Sequence, residues 1–210
     1  MPLFEVRRGL GTGFGNGASP GAAMTTLGHQ VVANFYQALI LDGRGYQVRA
    51  GTVTTPITAD VLITDTAAEM CADAASGTTL IPFFLQVDIE ALAGTLPQVA
   101  AKSVATVSSA GTAFVPLPLK SNGSAAVSTA RAQGAGAVTV TAELATTTAV
   151  HYIRTMAVAG DVQALWEPQA APILVGARCF YVQVGSVTTG STYFANFNYI
   201  EVPTLMVDPS

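Results

Sequence analysis

The chain has 210 residues; half of them are hydrophobic and only 10% are charged, whereas an ordinary soluble domain is about a quarter charged. The net charge is −4 and the nine basic residues are scattered, which excludes the basic stripe of a nucleic-acid-binding protein. The N-terminus lacks the apolar core of a signal peptide, and the short, broken apolar runs predict no membrane span. We therefore expect a protein made in the cytosol, with a sparsely charged surface suited to burial against neighbouring subunits.

Residues 1–28 differ in composition from the rest of the chain. Glycines alternate with other residues at positions 9, 11, 13, 15 and 17, a spacing that does not match a nucleotide-binding loop. Ordering such a backbone costs about 1–2 kcal/mol per residue, and the segment has too few bulky apolar residues for a core of its own. We predict an extended arm, free or laid across a neighbour. Its candidate contact residues are Phe14 and the pair Arg7 and Arg8, which otherwise reads as a solvated charge pair.

The first elements after the arm are ambiguous. The apolar segment 29–41 could be a helix or a strand. The Asp-Gly turn that follows it and the alternating residues 46–54 favour a strand–turn–strand unit. Residues 58–64 form another predicted strand.

Residues 65–75 are the best helical stretch of the sequence. Asp65 or Thr66 can cap its N-terminus, Glu69 falls in its first turn, and Gly77 can end it. We predict one short helix here and little helix elsewhere.

From residue 79 onward, runs of β-branched and aromatic residues alternate with turns rich in Gly, Pro and Asn. The predicted strands span 79–90, 97–108, 112–119, 137–145 and 151–158, and a longer link over 161–171 contains the lone Trp166. Regular short strands of this kind are typical of a sandwich or a barrel.

The last two apolar arms, 172–185 and 191–203, predict a long closing hairpin because only a short polar link separates them. Alternation places Tyr193, Ala195, Phe197, Tyr199 and Glu201 on one face of the second arm. Most aromatic side chains here are expected in the core. Tyr193 and Tyr199 are the candidates for a set that lines a subunit interface, where tyrosine is favoured.

The residues that could carry metal or redox chemistry are few. Cys71 and Cys179 are far apart and not in a CxxC spacing, and two buried free thiols are favoured over a disulfide, which the sequence leaves open. His29 and His151 lack ligand spacing and are interpreted as surface or hydrogen-bonded strand residues. We predict no metal and no cofactor.

Enzyme motifs are also missing from the sequence. The one formal GxSxG match, Gly17–Gly21, lies in the Gly-rich segment and not between a predicted strand and a helix. The one acid pair of interest is Asp88 and Glu90, whose Cα atoms on one strand face would lie about 6.6 Å apart. Retaining glycosidases hold two carboxyls at about 5–5.5 Å, but a sugar cleft would also present several aromatic platforms, and the chain has one Trp. We interpret these acids as solvated and predict neither catalytic residues nor a small-molecule substrate.

The chain resembles the virion structural proteins of tailed bacteriophages. The likeness lies in the Gly-rich arm, the Ala/Thr/Gly/Val-rich β domain, the sparse charge and the aromatic ending from Ala177 to Val202. It is most similar to small jelly-roll capsid decoration (cement) proteins. This implies an arm over 1–28 and, over 29–210, a jelly-roll-like antiparallel β-sandwich with one short helix.

The resemblance also implies a function. Such a protein is not an enzyme; it lies on the capsid surface and binds the major capsid protein and copies of itself, as a trimer or dimer. The alternative is a receptor- or glycan-binding β module of a head or tail fibre, for which the loop at Trp166 and Glu167 is the candidate contact.

Overall fold

The computed structural model describes residues 35–60, 63–91, 97–133, 137–144, 146–157, 159–185 and 191–206. Within them, helix α1 spans Phe35–Leu41 and a 3₁₀ helix spans Thr204–Met206. The strands are β1 (Gly45–Ala50), β2 (Ile57–Thr58), β3 (Ala67–Ala68), β4 (Met70–Asp73), β5 (Thr78–Ala91), β6 (Gln98–Val104), β7 (Ser109–Ala110), β8 (Thr112–Phe114), β9 (Leu117–Pro118), β10 (Thr129–Ala132), β11 (Val138–Thr139), β12 (Thr148–Thr155), β13 (Gly160–Leu165), β14 (Leu174–Val175), β15 (Cys179–Gly185) and β16 (Thr192–Pro203). The predicted arm at 1–28, and with it Arg7, Arg8 and Phe14, lies outside the described residues, as does His29.

Two antiparallel sheets form the body of the domain. The first has the order β13-β5-β16-β1-β9, with β14 also on β5 and β2 also on β16, and the second has the order β12-β6-β15-β4-β10-β8. Their facing side chains make the main core, in which Leu85, Phe180, Val182 and Phe197 are fully buried. The predicted all-β sandwich is confirmed.

A small third sheet, β3-β11-β7, covers the outer face of the second sheet. The two layers meet in an apolar cluster that includes Ala68, Val104, Val138 and Tyr181. Because this layer buries their second face, β4 and β15 are buried at every position. That explains why residues 179–184 form an almost continuous apolar run.

Helix α1 packs on one end of the outer face of the first sheet. Tyr36, Leu39 and Ile40 have helical spacing and contact a cluster that includes Phe83 and Ile200. The Tyr36 ring stacks on Phe83 at a centroid distance of 4.8 Å. The strand predicted for 29–41 is therefore wrong over 35–41, because the sheet offers an apolar surface that a helix can cover.

The helix predicted for 65–75 is also wrong, since this stretch contains β3 and β4. Strand β4 lies between β15 and β10 and pairs with both. Met70 and Ala72 face the main core, whereas Cys71 lies in the apolar cluster beneath the third sheet. Pairing on both sides and burial of both faces outweigh the modest helix propensity of these residues.

The closing arms form strands as predicted, but the hairpin is wrong. Strand β15 pairs with β4 and β6 in the second sheet, and β16 pairs with β1 and β5 in the first. They face each other across the core, where the rings of Phe180 and Phe197 lie 5.1 Å apart. The predicted alternation along β16 is confirmed, and the face with Tyr193, Phe197 and Tyr199 is the one that lies in the core. The link predicted for 161–171 holds most of β13.

The long connection from β6 to β12 extends all three sheets. It adds β8 and β10 to the second sheet, β9 to the first, and β7 and β11 to the third. Strand β9 pairs with the outer edge of β1, and β10 pairs with the outer edge of β4. In the part of the chain that the structure describes, the first sheet ends in β13 at the edge away from β9, and the second sheet ends in β12 at the edge away from β8. Both are long strands.

The turn between β7 and β8 needs glycine. Ala110 and Gly111 have φ values of 54° and 60°, and a Cβ on Gly111 would lie 2.8 Å from Val138 Cγ2 and 3.0 Å from the Ala132 carbonyl oxygen. Gly111→Ala is expected to lower the free energy of unfolding by more than the ~1–2 kcal/mol that left-handed backbone costs by itself. Gly77→Ala is the matched control, because φ is 80° there and a Cβ would meet nothing within 4 Å. Equal losses in urea denaturation of the two variants would contradict the steric contribution.

Candidate interaction surfaces

The outer face of the first sheet is polar where α1 does not cover it. This polar face consists of Gln47, Arg49, Gln86, Asp88, Asn196 and Asn198, which are half-buried apart from the exposed Arg49. Gln47 Nε2 donates to Asn198 Oδ1 at 3.2 Å, and Gln86 Nε2 donates to Asp88 Oδ2 at 2.9 Å. The side chains thus hold one another in place, and their remaining amide groups can bind a polar partner.

A shallow depression of about 250 Å³ opens on the polar face. Its lining includes the ring of Phe194 and the side chains of Gln47, Arg49 and Asn196. An aromatic ring beside a guanidinium and two amides can stack on a partner and hydrogen-bond to it at once. This combination suits a sugar ring or a peptide.

Asp88 and Glu90, the acid pair singled out in the sequence, differ in their exposure on this face. Asp88 is half-buried and lies opposite Asp161 of β13, whereas Glu90 is exposed. Burial raises the pKa of Asp88, the hydrogen bond from Gln86 opposes this, and the nearby charge of Asp161 raises the pKa further. Neither Asp88 nor Glu90 lines the depression.

The three aromatic residues predicted at an interface lie in the core instead. Tyr193 and Tyr199 are 0% exposed, and Trp166 is 9% exposed. The indole of Trp166 packs edge-on against Phe180 at 6.0 Å. The interface prediction for these three residues is wrong, because their apolar area joins the two sheets. In the loop that follows β13, Glu167 is exposed although Trp166 is not.

Glu201 fastens the segment before β10 to strand β16. Its carboxylate oxygens accept hydrogen bonds from the backbone N–H groups of Val127 at 2.9 Å and Ser128 at 2.8 Å. Ser128 Oγ also lies 2.6 Å from Tyr199 Oη. Such bonds to a charged acceptor are among the stronger ones in proteins, so Glu201 has a structural part that the sequence pattern did not reveal.

The fold brings together Cys71, Asp73 and Cys179, a cluster that the sequence analysis missed. Alternation puts Cys71 and Asp73 on one face of β4, and the register places Cys179 opposite Asp73. One ligand atom of each lies within 4.8 Å of the others, and two thiols with a carboxylate are a donor set that can hold zinc. The predicted free, buried thiols are confirmed.

Hydrogen bonds and a nearby cation already satisfy this cluster. The N–H and O–H of Ser108 donate to the two carboxylate oxygens of Asp73 at 2.8 and 2.6 Å. Ser108 Oγ lies 3.0 Å from Cys71 Sγ, and Arg131 Nε lies 3.9 Å from Asp73. Burial raises the pKa of the Cys179 thiol, and Cys71 and Asp73 raise it further. The hydrogen bonds from Ser108 and the nearby Arg131 therefore compensate the charge of Asp73. The same hydrogen bonds hold Ser108 against β4.

His151 is a hydrogen-bonded strand residue, as predicted. Its Nε2 lies 2.8 Å from Ser103 Oγ, and its ring stacks on Phe180 at 6.0 Å. Burial lowers the pKa of His151, so the neutral ring is favoured in the folded protein.

Strands β12 and β13 present the most accessible apolar side chains beside free backbone. They follow each other in the chain and each ends a different sheet. Val150 and Ile153 on β12 are 54% and 63% exposed, and Leu165 on β13 is 67% exposed. An edge strand with exposed β-branched residues can pair with a strand of another chain.

Comparison of the chain with protein-family models, curated proteins and solved structures gave no match. Among the described residues, no helix is long and apolar enough to cross a membrane. Function therefore has to be inferred from the fold and the surfaces of the chain itself.

Proposed function

We propose that the protein is a non-enzymatic structural protein of a tailed-bacteriophage virion. In this role it is a capsid decoration (cement) protein that lies on the capsid surface. It bridges major capsid proteins through its β domain and its N-terminal arm. The observation that carries this proposal is the strand order of the two main sheets.

The strand order supports a jelly-roll domain. Without the added strands β2, β8, β9, β10 and β14, the two main sheets consist, in chain order, of β1, β4, β5, β6, β12, β13, β15 and β16. When they are lettered B to I, the first sheet reads B-I-D-G and the second reads C-H-E-F. This order supports a jelly roll, an arrangement found in viral capsid proteins and in lectins.

The position of α1 supports a bridging arm. Helix α1 begins at Phe35 and packs through Tyr36 on the outer face of the first sheet, so the chain enters the domain at this face. An arm anchored at this face can extend over an adjoining subunit and bury apolar area worth about 25 cal/mol per Å². Repetition over a shell adds avidity to each weak contact.

Deletion of residues 2–28 tests the proposal. We expect the deletion to weaken binding to capsids of the phage that encodes the chain by about tenfold or more, equivalent to about 1.4 kcal/mol. Circular dichroism should remain unchanged, because the domain has its own core. Co-sedimentation of the protein with capsids is the measurement. A variant with both Arg7 and Arg8 replaced by Ala separates the contribution of the arm's charges to binding from that of its contact area.

Two results would contradict the proposal in different ways. A full-length chain that does not bind these capsids would overturn the decoration role. Unchanged binding after the deletion would overturn only the bridging arm. Position of the gene beside a major capsid gene would independently support the role.

A receptor- or glycan-binding module is the second candidate, favoured by the depression beside Phe194 and Arg49. This alternative predicts glycan-array binding that Arg49→Ala abolishes. Decoration alone predicts no glycan binding.

A further inference from the structure

Strand β12 is complementary to a second copy of itself. We propose that two copies of the chain pair through their β12 edges, antiparallel about a two-fold axis, with Val150 of each copy opposite Ile153 of the other. The pairing joins two second sheets into one continuous sheet. It does not depend on the virion role proposed above.

The β12 edge is long and little protected. Seven of its eight residues pair on one side with β6, and within the described residues the other side has no strand partner. Natural edge strands are usually short or carry charges and prolines that prevent pairing. This one has no proline and a single formal charge, on Arg154.

A β-bulge in β12 determines which side chains share a face. On a regular strand, residues 150 and 153 would point to opposite faces. Here the register with β6 shifts between Val150 and Tyr152, so that Val150 pairs with Lys102 and Ile153 pairs with Ala100. Since Lys102 and Ala100 are two residues apart on β6, Val150 and Ile153 lie on the same outer face.

The bulge makes one symmetric register self-consistent. An axis between residues 151 and 152 pairs Val150 with Ile153 of the second copy, and Thr148 with Thr155. All four positions lie on the outer face, and directly opposed residues of an antiparallel pair must share a face. The result is two Val–Ile pairs, a favourable combination in sheets. The Thr148 positions at the ends add no such pair, because the Thr148 N–H donates to the Leu144 carbonyl at 2.9 Å and its Oγ1 accepts from the Leu144 N–H at 3.2 Å. Without the bulge, this axis would oppose side chains of different faces.

The charges permit the same register. Arg154 falls opposite Ala149 of the second copy. The two Arg154 positions are then five residues apart along the strand, about 17 Å, which exceeds the screening length of about 8 Å at physiological ionic strength. An axis at Arg154 would oppose the two guanidinium groups directly, so repulsion disfavours that slipped register.

Sedimentation velocity of the full chain tests the pairing. We expect a dimer that dissociates on dilution. Ile153→Lys should weaken self-association by roughly tenfold or more, because it places a charge in the strand interface. Leu165→Lys is the matched control and should leave the dimer intact, because it changes an equally exposed side chain on the edge of the other sheet. A monomer at every concentration, or equal effects of the two variants, would overturn the proposal.

Cross-linking tests the register. The double variant Val150→Cys/Ile153→Cys should form a covalent dimer when treated with diamide, because each new thiol meets its counterpart on the second copy. Each single variant places its two thiols three residues apart along the strand and should remain uncross-linked. The native Cys71 and Cys179 are buried and do not compete. A covalent dimer formed equally by a single variant, or by none of the variants, would overturn the proposed register.

Discussion

Phe180→Ala is expected to lower the free energy of unfolding by about 3–5 kcal/mol, as truncation of a fully buried aromatic residue does. Phe180 is 0% exposed and lies on β15 of the second sheet. Its ring packs edge-on against Phe197 of the first sheet at 5.1 Å and against Trp166 at 6.0 Å. Its loss would leave a cavity between two sheets that cannot collapse, because each sheet is held by its own backbone pairing.

Urea denaturation followed by tryptophan fluorescence measures this loss. Phe35→Ala is the matched control, since it removes the same atoms from an exposed position on α1. It should change the free energy of unfolding by less than about 1 kcal/mol. Both variants must be measured at one protein concentration, because self-association would shift the midpoint. A loss for Phe180→Ala no larger than that for Phe35→Ala would contradict this account of the core.

Glu69→Gln is expected to stabilise the protein at pH values above the raised pKa of Glu69 and to have little effect near pH 4.5. Glu69 is buried, and burial raises its pKa well above 4.5; the hydrogen bond from the Val184 N–H at 2.7 Å opposes this in part. The folded chain therefore binds this proton more tightly than the unfolded chain. The stability that Glu69 contributes is complete below pH 4.5 and is lost as the pH rises through the raised pKa.

Each unit by which the pKa is raised costs about 1.4 kcal/mol above that pKa. Glutamine resembles the protonated acid and keeps an oxygen for the Val184 N–H, so it removes this cost. Urea midpoints at two pH values measure the effect, and Glu90→Gln is the control, because Glu90 is exposed on β5. A Glu69→Gln variant that is less stable than the natural protein at both pH values would show that the charged carboxylate is needed.

The strands were predictable where one face of the strand alone is buried. Tyr193 and Phe197 alternate with Phe194 and Asn196, and burial follows that alternation along β16. The short helix was not placed correctly. Residues 65–75 carry good capping signals, but pairing of β4 with two neighbours decides the outcome.

The candidate surfaces were hidden from the sequence for a related reason. Nothing in the spacing of Cys71 and Cys179 indicates that the register of β4 and β15 makes them neighbours. Val150 and Ile153 likewise share the outer face only because of a β-bulge, which no residue type in the sequence predicts. Tyr199 was assigned to an interface because alternation gives two faces without saying which one meets the other sheet.

The amino-acid sequence by itself determined the all-β class, the period-two faces of the long strands and the low charge of the chain. These are local properties, since they depend on residue type and on spacing within one strand. The tertiary structure alone decided that β15 and β16 lie in opposite sheets, that a third sheet covers the second, and that β12 is left at an edge. Such features depend on pairing between residues far apart in the chain, and their stability comes from burial that exists only after the sheets have assembled.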